Sequence, residues 1–234
     1  MLRDAELPFA LVVEPQEAEG YASVWPTAEL IVLPDRDRGI SFSRQWILDE
    51  ARHRGLARYW QIDDNVKGFA RVNGMSCQPC RPEEALRFAE ELSDKSPRIA
   101  LVGFEYQQFG WSAKRAWRWN ARAYCCVLTR TDTGKDYDPA TEMKEDVDFC
   151  LQHVAAGWAT ALVSQYVMSK PKIGDSGAGG LAEKYAERKD EQAAKALCAK
   201  WPGVVKLRRR DDGRLDASVD WAAFARPTGG VDGA

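Results

Sequence analysis

Apolar residues along the chain fall into two alternating kinds of run. Short uninterrupted runs occupy residues 8–15 (PFALVVEP), 29–34 (ELIVLP), 59–65 (YWQIDDN), 98–106 (RIALVGFEY), 121–130 (ARAYCCVLTR) and 159–169 (ATALVSQYVMS). Their length and their flanking prolines and polar residues predict buried strands. Between them apolar positions recur at helical spacing. A helix is expected from about residue 41 to 54, with Phe42, Trp46, Ile47 and Ala51 on one face and Gly55 as its stop. A second runs from Pro82, a favoured first helical position, to about Ser93. A third carries Met143, Val147, Cys150, Leu151 and Val154 and closes at Gly157. A glycine-rich turn over residues 174–180, a helix ending near Trp201, a short basic strand and a polar tail complete the pattern. Strands alternating with helices predict an α/β fold with a largely parallel sheet and flanking helices. The expected organisation is one domain over residues 1–228 and a disordered tail over 229–234.

Composition narrows this picture. The 234 residues are 45% hydrophobic and 29% charged, which excludes a disordered or collagenous chain. No stretch approaches the roughly 18 apolar residues of a membrane span, and the first twenty residues lack the order of a signal peptide. The cytoplasm is therefore the expected compartment. Thirty-three basic against 35 acidic side chains give a net charge of −2, which excludes wholesale polycation behaviour but leaves room for a local basic face. Cys77 and Cys80 have metal-like spacing, but the chain has two histidines and no second such pair, so they read as a loop ahead of the Pro82 helix. Cys125, Cys126, Cys150 and Cys198 read as small buried hydrophobes.

Four features carry candidate chemistry. Asp63 and Asp64 follow the apolar WQI, at the strand end where open α/β sheets bind ligands. Adjacent carboxylates there suit Mg²⁺ or Mn²⁺ holding a diphosphate, and equally an acidic turn. Glu145, Asp146 and Asp148 open the third helix, where acids complement the helix dipole or where one can serve as a general base. Residues 38–44 (RGISFSR) place a glycine turn and Arg44 at a helix start, an arrangement that suits an anion and is also common in ordinary helices. Finally, no acid lies between Glu105 and Asp132. Lys114, Arg115, Arg118, Arg122 and Arg130 are interleaved there with Trp111, Trp117 and Trp119. Such a segment suits a nucleic-acid backbone and a splayed base, or a solvated basic loop with its tryptophans packed inward.

Taken in order, these pieces resemble the TET-associated glycosyltransferases, GT-A-type enzymes found in phages among other places. The resemblance rests on VVEP with Tyr21, LPDRDRGISFSRQWIL, YWQIDDNVKGF, and GFEY (103–106) with Phe109, Asn120 and Tyr124. It continues through KEDVDF (144–149) to Gly179, Gly180, Leu181 and Tyr185, covering about residues 10–225. It implies metal-dependent transfer of a sugar from a nucleotide-sugar, a UDP-sugar, to the hydroxyl of a 5-hydroxymethylpyrimidine in DNA, 5-hydroxymethylcytosine first. Protein or glycan hydroxyls are the alternative acceptors, and a non-catalytic nucleic-acid-binding remnant is a third reading. On this resemblance Asp63 and Asp64 bind the divalent cation and the donor diphosphate, Arg44 contacts the donor, and Asp146 is the general base. Lys170 and Lys172 are further candidates for phosphate contact. Trp111, Lys114, Arg115, Trp117, Arg118, Trp119 and Arg122 form the expected DNA face. A phage-encoded chain would work in the host cytoplasm. On this resemblance the first βα unit of such folds is expected to be absent, because only MLRDAEL precedes PFALVVEP.

Overall fold

The computed structural model describes residues 7–171, 189–211 and 213–224. The chain opens with β1 (Ala10–Val13), α1 (Ala18–Val24), β2 (Glu29–Val32) and α2 (Ile40–His53). Then come β3 (Arg58–Ile62), β4 (Gly68–Asn73), β5 (Ser76–Cys80), α3 (Pro82–Asp94) and β6 (Ile99–Tyr106). The short α4 (Gln107–Gly110) leads to β7 (Trp117–Trp119), β8 (Cys126–Arg130), α5 (Glu145–Ala155) and β9 (Ala159–Ser169). Last are α6 (Lys189–Lys200) and the hairpin of β10 (Val205–Arg209) and β11 (Leu215–Val219).

A central seven-stranded sheet has the order β3-β8-β6-β9-β4-β5, with β7 added beside β9. The expected largely parallel sheet is corrected here. Within this sheet only β6 and β9 pair in parallel, and every other pairing is antiparallel. Two local causes account for the mixture. Gly74, at φ +59°, and Met75 form a two-residue hairpin turn between the paired Asn73 and Ser76, which folds β5 back on β4. Cys77 and Cys80 therefore lie in a strand rather than a loop, three positions apart, so their side chains leave opposite faces. The long excursion from β6 through α4 and β7 then returns as β8, antiparallel to both β6 and β3. β1 and β2 pair in parallel in a two-stranded sheet of their own.

Three packed clusters make the core. One lies between the sheet and α3, around Leu92, Val102, Phe104, Trp117 and Leu162. A second joins α2 and α5 to the opposite face through Leu48, Ala51, Tyr59, Leu101 and Phe149. A third seats α6 and the β10–β11 hairpin on Val147, Leu151 and Val154 of α5. The inward face of α2 differs from the expected one: Ser41, Arg44, Leu48 and Ala51 are buried, whereas Phe42, Trp46 and Ile47 are only half-buried. The helix is rotated so that Arg44 enters the interior, where it meets two carboxylates. The predicted glycine turn at 174–180 and the tail at 229–234 lie outside the described residues.

Candidate active site

Because β8 is antiparallel to both β3 and β6, and β6 is parallel to β9, the chains of β3, β6 and β9 all run the same way. Their carboxyl ends meet at one rim of the sheet. Asp63 follows β3 there, Glu105 and Tyr106 end β6, and Lys170 follows β9. The segment entering β8 crosses the same rim. Gly103 makes this possible, since a Cβ there would come within 2.9 Å of the Ala123 Cβ. Cys125 lies in this segment at φ +61°, a left-handed conformation rare outside glycine and typical of sites that hold a shape for function.

Three candidate residues from distant parts of the chain line one small cleft at this rim: Arg44, Asp63 and Asp146, with Cys125 and Tyr137 between them. Its volume, about 10 Å³, holds roughly one water. Arg44 donates to Asp63 at 3.3 Å and to Glu145 at 3.1 Å. The Asp63 amide is fixed by the Cys125 carbonyl at 2.7 Å. Asp146 is buried, and its Oδ2 accepts from both Nε and Nη2 of Arg122, at 2.7 and 2.5 Å. Its Oδ1 accepts the Val147 amide in the first turn of α5.

Adjacent acids are thereby held in opposite conditions. Burial pushes the Glu145 carboxyl above its ordinary range, and Arg44 only partly offsets this. Burial pushes Asp146 in the same direction, but Arg122 and Arg44 outweigh it and hold that carboxyl below the ordinary range. Such a divided pair is a recurring mark of acid–base sites. Lys170 Nζ donates to the Cys125 Sγ at 3.2 Å, which ties β9 to the cleft.

Asp64 stands apart from the cleft and is exposed, beside half-buried Asp63. These two offer hard oxygen donors, which suit Mg²⁺ or Mn²⁺ held jointly with a substrate diphosphate. Among the described residues no group of three or more His, Cys, Asp and Glu is placed to hold a metal ion. Further oxygens from the diphosphate and water are needed to complete such a site. Lys172 lies outside the described residues.

The tryptophan-rich basic segment divides in two. Lys114, Arg115, Trp117 and Arg118 line a groove of about 510 Å³, together with Glu105, Phe109 and Ser164. Trp111 is 54% exposed nearby. Trp117 is 7% exposed and packs in the core, with Trp119 half-buried against it edge-on at 6.3 Å. Neither ring is an open stacking surface. Arg122 is turned to Asp146 rather than into the groove.

Glu105 is the residue whose importance the sequence hid. It is buried, and it accepts from the Tyr124 hydroxyl at 2.8 Å, the Tyr106 amide at 3.0 Å and Arg118 at 2.6 Å. An acid closing an otherwise apolar strand was the available signal, the same one that marked Asp63.

A mixed α/β sheet with helices on its faces and paired acids at one rim is compatible with a glycosyltransferase fold. A family model described as TET-Associated Glycosyltransferase matches residues 1–180. The chain belongs to the TET-associated glycosyltransferase family and is a glycosyltransferase, acting on a nucleotide-sugar and an acceptor. Comparison with curated proteins finds no match. No helix among the described residues is long and apolar enough to cross a membrane.

Proposed function

We propose that this glycosyltransferase moves a sugar from a UDP-sugar to the hydroxyl of a 5-hydroxymethylpyrimidine in DNA, with 5-hydroxymethylcytosine as acceptor. The observation that carries this reading is the convergence of Arg44, Asp63 and Asp146 in one cleft; a groove walled by Lys114, Arg115 and Arg118 supplies basic surface for DNA. Asp63 and Asp64 hold the divalent cation that neutralises charge on the diphosphate when it is bound. Arg44 keeps Asp63 oriented from behind and adds positive charge near the leaving group.

Asp146 takes the proton of the acceptor's primary alcohol. The alcohol oxygen forms a new bond to the anomeric carbon, the bond from that carbon to the diphosphate oxygen breaks, and UDP departs with the electron pair. Arg122 guards the base beforehand. Nearly half of its side chain is exposed (45%), so it can turn toward an incoming phosphate and uncover Oδ2. Product formation from hydroxymethylcytosine-containing DNA and UDP-sugars with Mn²⁺, read by nucleoside mass, tests this. Sugar on a peptide or glycan instead of DNA would redirect the acceptor assignment.

A further inference from the structure

We propose that Glu105 reads the exocyclic amino group of the acceptor base, so that the enzyme selects a hydroxymethylated cytosine over the corresponding uracil. This rests on the reading of a hydroxymethylpyrimidine acceptor given above.

The groove of about 510 Å³ has the capacity of a nucleoside site, and Glu105 is the acid among its lining residues. The Glu105 side chain is only 7% exposed, so its carboxylate is fixed rather than swept by solvent. The fixing is one-sided. Oε1 accepts two hydrogen bonds, from the Tyr124 hydroxyl and the Tyr106 amide. Oε2 accepts from Arg118, whose own side chain is 59% exposed. A carboxylate oxygen has a second lone pair, so Oε2 can take another donor with Arg118 in place or displaced.

Cytosine presents an N–H₂ donor at C4, where a uracil presents a carbonyl acceptor. The first completes the bonding of Oε2; the second sets two acceptors against each other at a buried carboxylate. The groove is linked to the candidate base through two side chains. The Tyr124 ring that anchors Glu105 lies 5.1 Å from the Arg122 guanidinium, which holds Asp146.

A role limited to anchoring Tyr124 and Arg118 gives no base preference, and the test separates the two. Two DNA substrates differing only in one base, 5-hydroxymethylcytosine or 5-hydroxymethyluracil, are offered with a panel of UDP-sugars and Mn²⁺. The ratio of kcat/KM values is read, and binding of the same oligonucleotides without donor is followed by fluorescence anisotropy. The wild-type chain should favour the amino base by about tenfold or more. In Glu105→Gln the Tyr124 and Tyr106 donors keep the amide oxygen inward and place its N–H₂ at the Oε2 position. The preference should therefore vanish or invert toward the uracil, with the thermal midpoint little changed. Arg118→Ala should keep the amino preference, whatever it does to the rate. Equal use of both bases by the wild type, or an unchanged ratio in Glu105→Gln, overturns the inference and leaves the DNA-glycosylation reading standing. No transfer to either DNA from any donor, with no binding difference between the oligonucleotides, overturns both.

Discussion

Arg122 and Arg44 between them set the charge state of the candidate site. Arg122 holds Asp146 ionised below the ordinary carboxylate range despite its burial. In the proposed base role this carboxylate is ionised at neutral pH, and activity is expected to be lost only as the pH falls through that depressed value. Arg122→Gln removes the main stabilising charge, so the acid limb of kcat/KM should move to higher pH; an unmoved limb would detach Asp146 from the rate. Asp146→Asn keeps the size of the side chain and loses the proton acceptor. It should cost about 10²–10⁴ in kcat at little cost in donor KM. Arg44, Asp63 and Asp146 were legible in the sequence because each stood in a motif at an element's end. Glu105 and Tyr124 stood in motifs too, but their meaning comes from a hydrogen bond between residues 19 positions apart, which no local pattern displays. Trp117 illustrates the converse. Its basic neighbours suggested an open ring, whereas pairing of β7 with β9 turns it into the core.

At the scale of elements, α5 carries both the proposed base and a pH-sensitive support. His153 is fully buried, bonded through Nδ1 to the Phe149 carbonyl and through Nε2 to the Thr133 hydroxyl. Burial lowers its pKa to about 4. The folded state therefore binds this proton less readily than the unfolded chain, whose histidine titrates near its ordinary value of about 6.5. The stability this group contributes is present above pH ~6.5 and is lost as the pH falls toward about 4, an effect of roughly 3 kcal/mol. Denaturation followed across that range should show the loss in the wild type and a flatter profile in His153→Gln. β6 makes a second demand: Gly103→Ala places a methyl against Ala123, and should cost about 1–3 kcal/mol and disturb the segment bearing Arg122 and Cys125. Most strands and helices were readable from apolar runs and spacing, because length and punctuation are local. The sheet's mixed direction was not, since it depends on a two-residue turn at Gly74 and on where β8 re-enters. The buried face of α2 escapes the apolar pattern for a related reason: Arg44 faces inward with Leu48 and is paired there with Asp63 and Glu145, partners distant in sequence that no local pattern displays.

Across the whole molecule a near-neutral net charge resolves into an acid-lined rim and a basic groove. Removing Lys114, Arg115 and Arg118 together should weaken DNA affinity and flatten its salt dependence by about one unit of slope for each phosphate left without its cation. An unchanged slope would mean that DNA lies elsewhere. The central claim joins donor and acceptor in a single transfer across Asp63 and Asp146, and one measurement tests it most directly. Hydroxymethylcytosine-containing DNA is incubated with UDP-sugars and Mn²⁺, digested, and its nucleosides weighed. A hexose-sized mass gain on hydroxymethylcytosine is predicted, abolished by chelator and in Asp63→Ala and Asp146→Ala chains that still melt as folded proteins. Folded wild-type protein that adds no sugar to this DNA from any donor, or whose Asp146→Ala variant adds it at the wild-type rate, would contradict it.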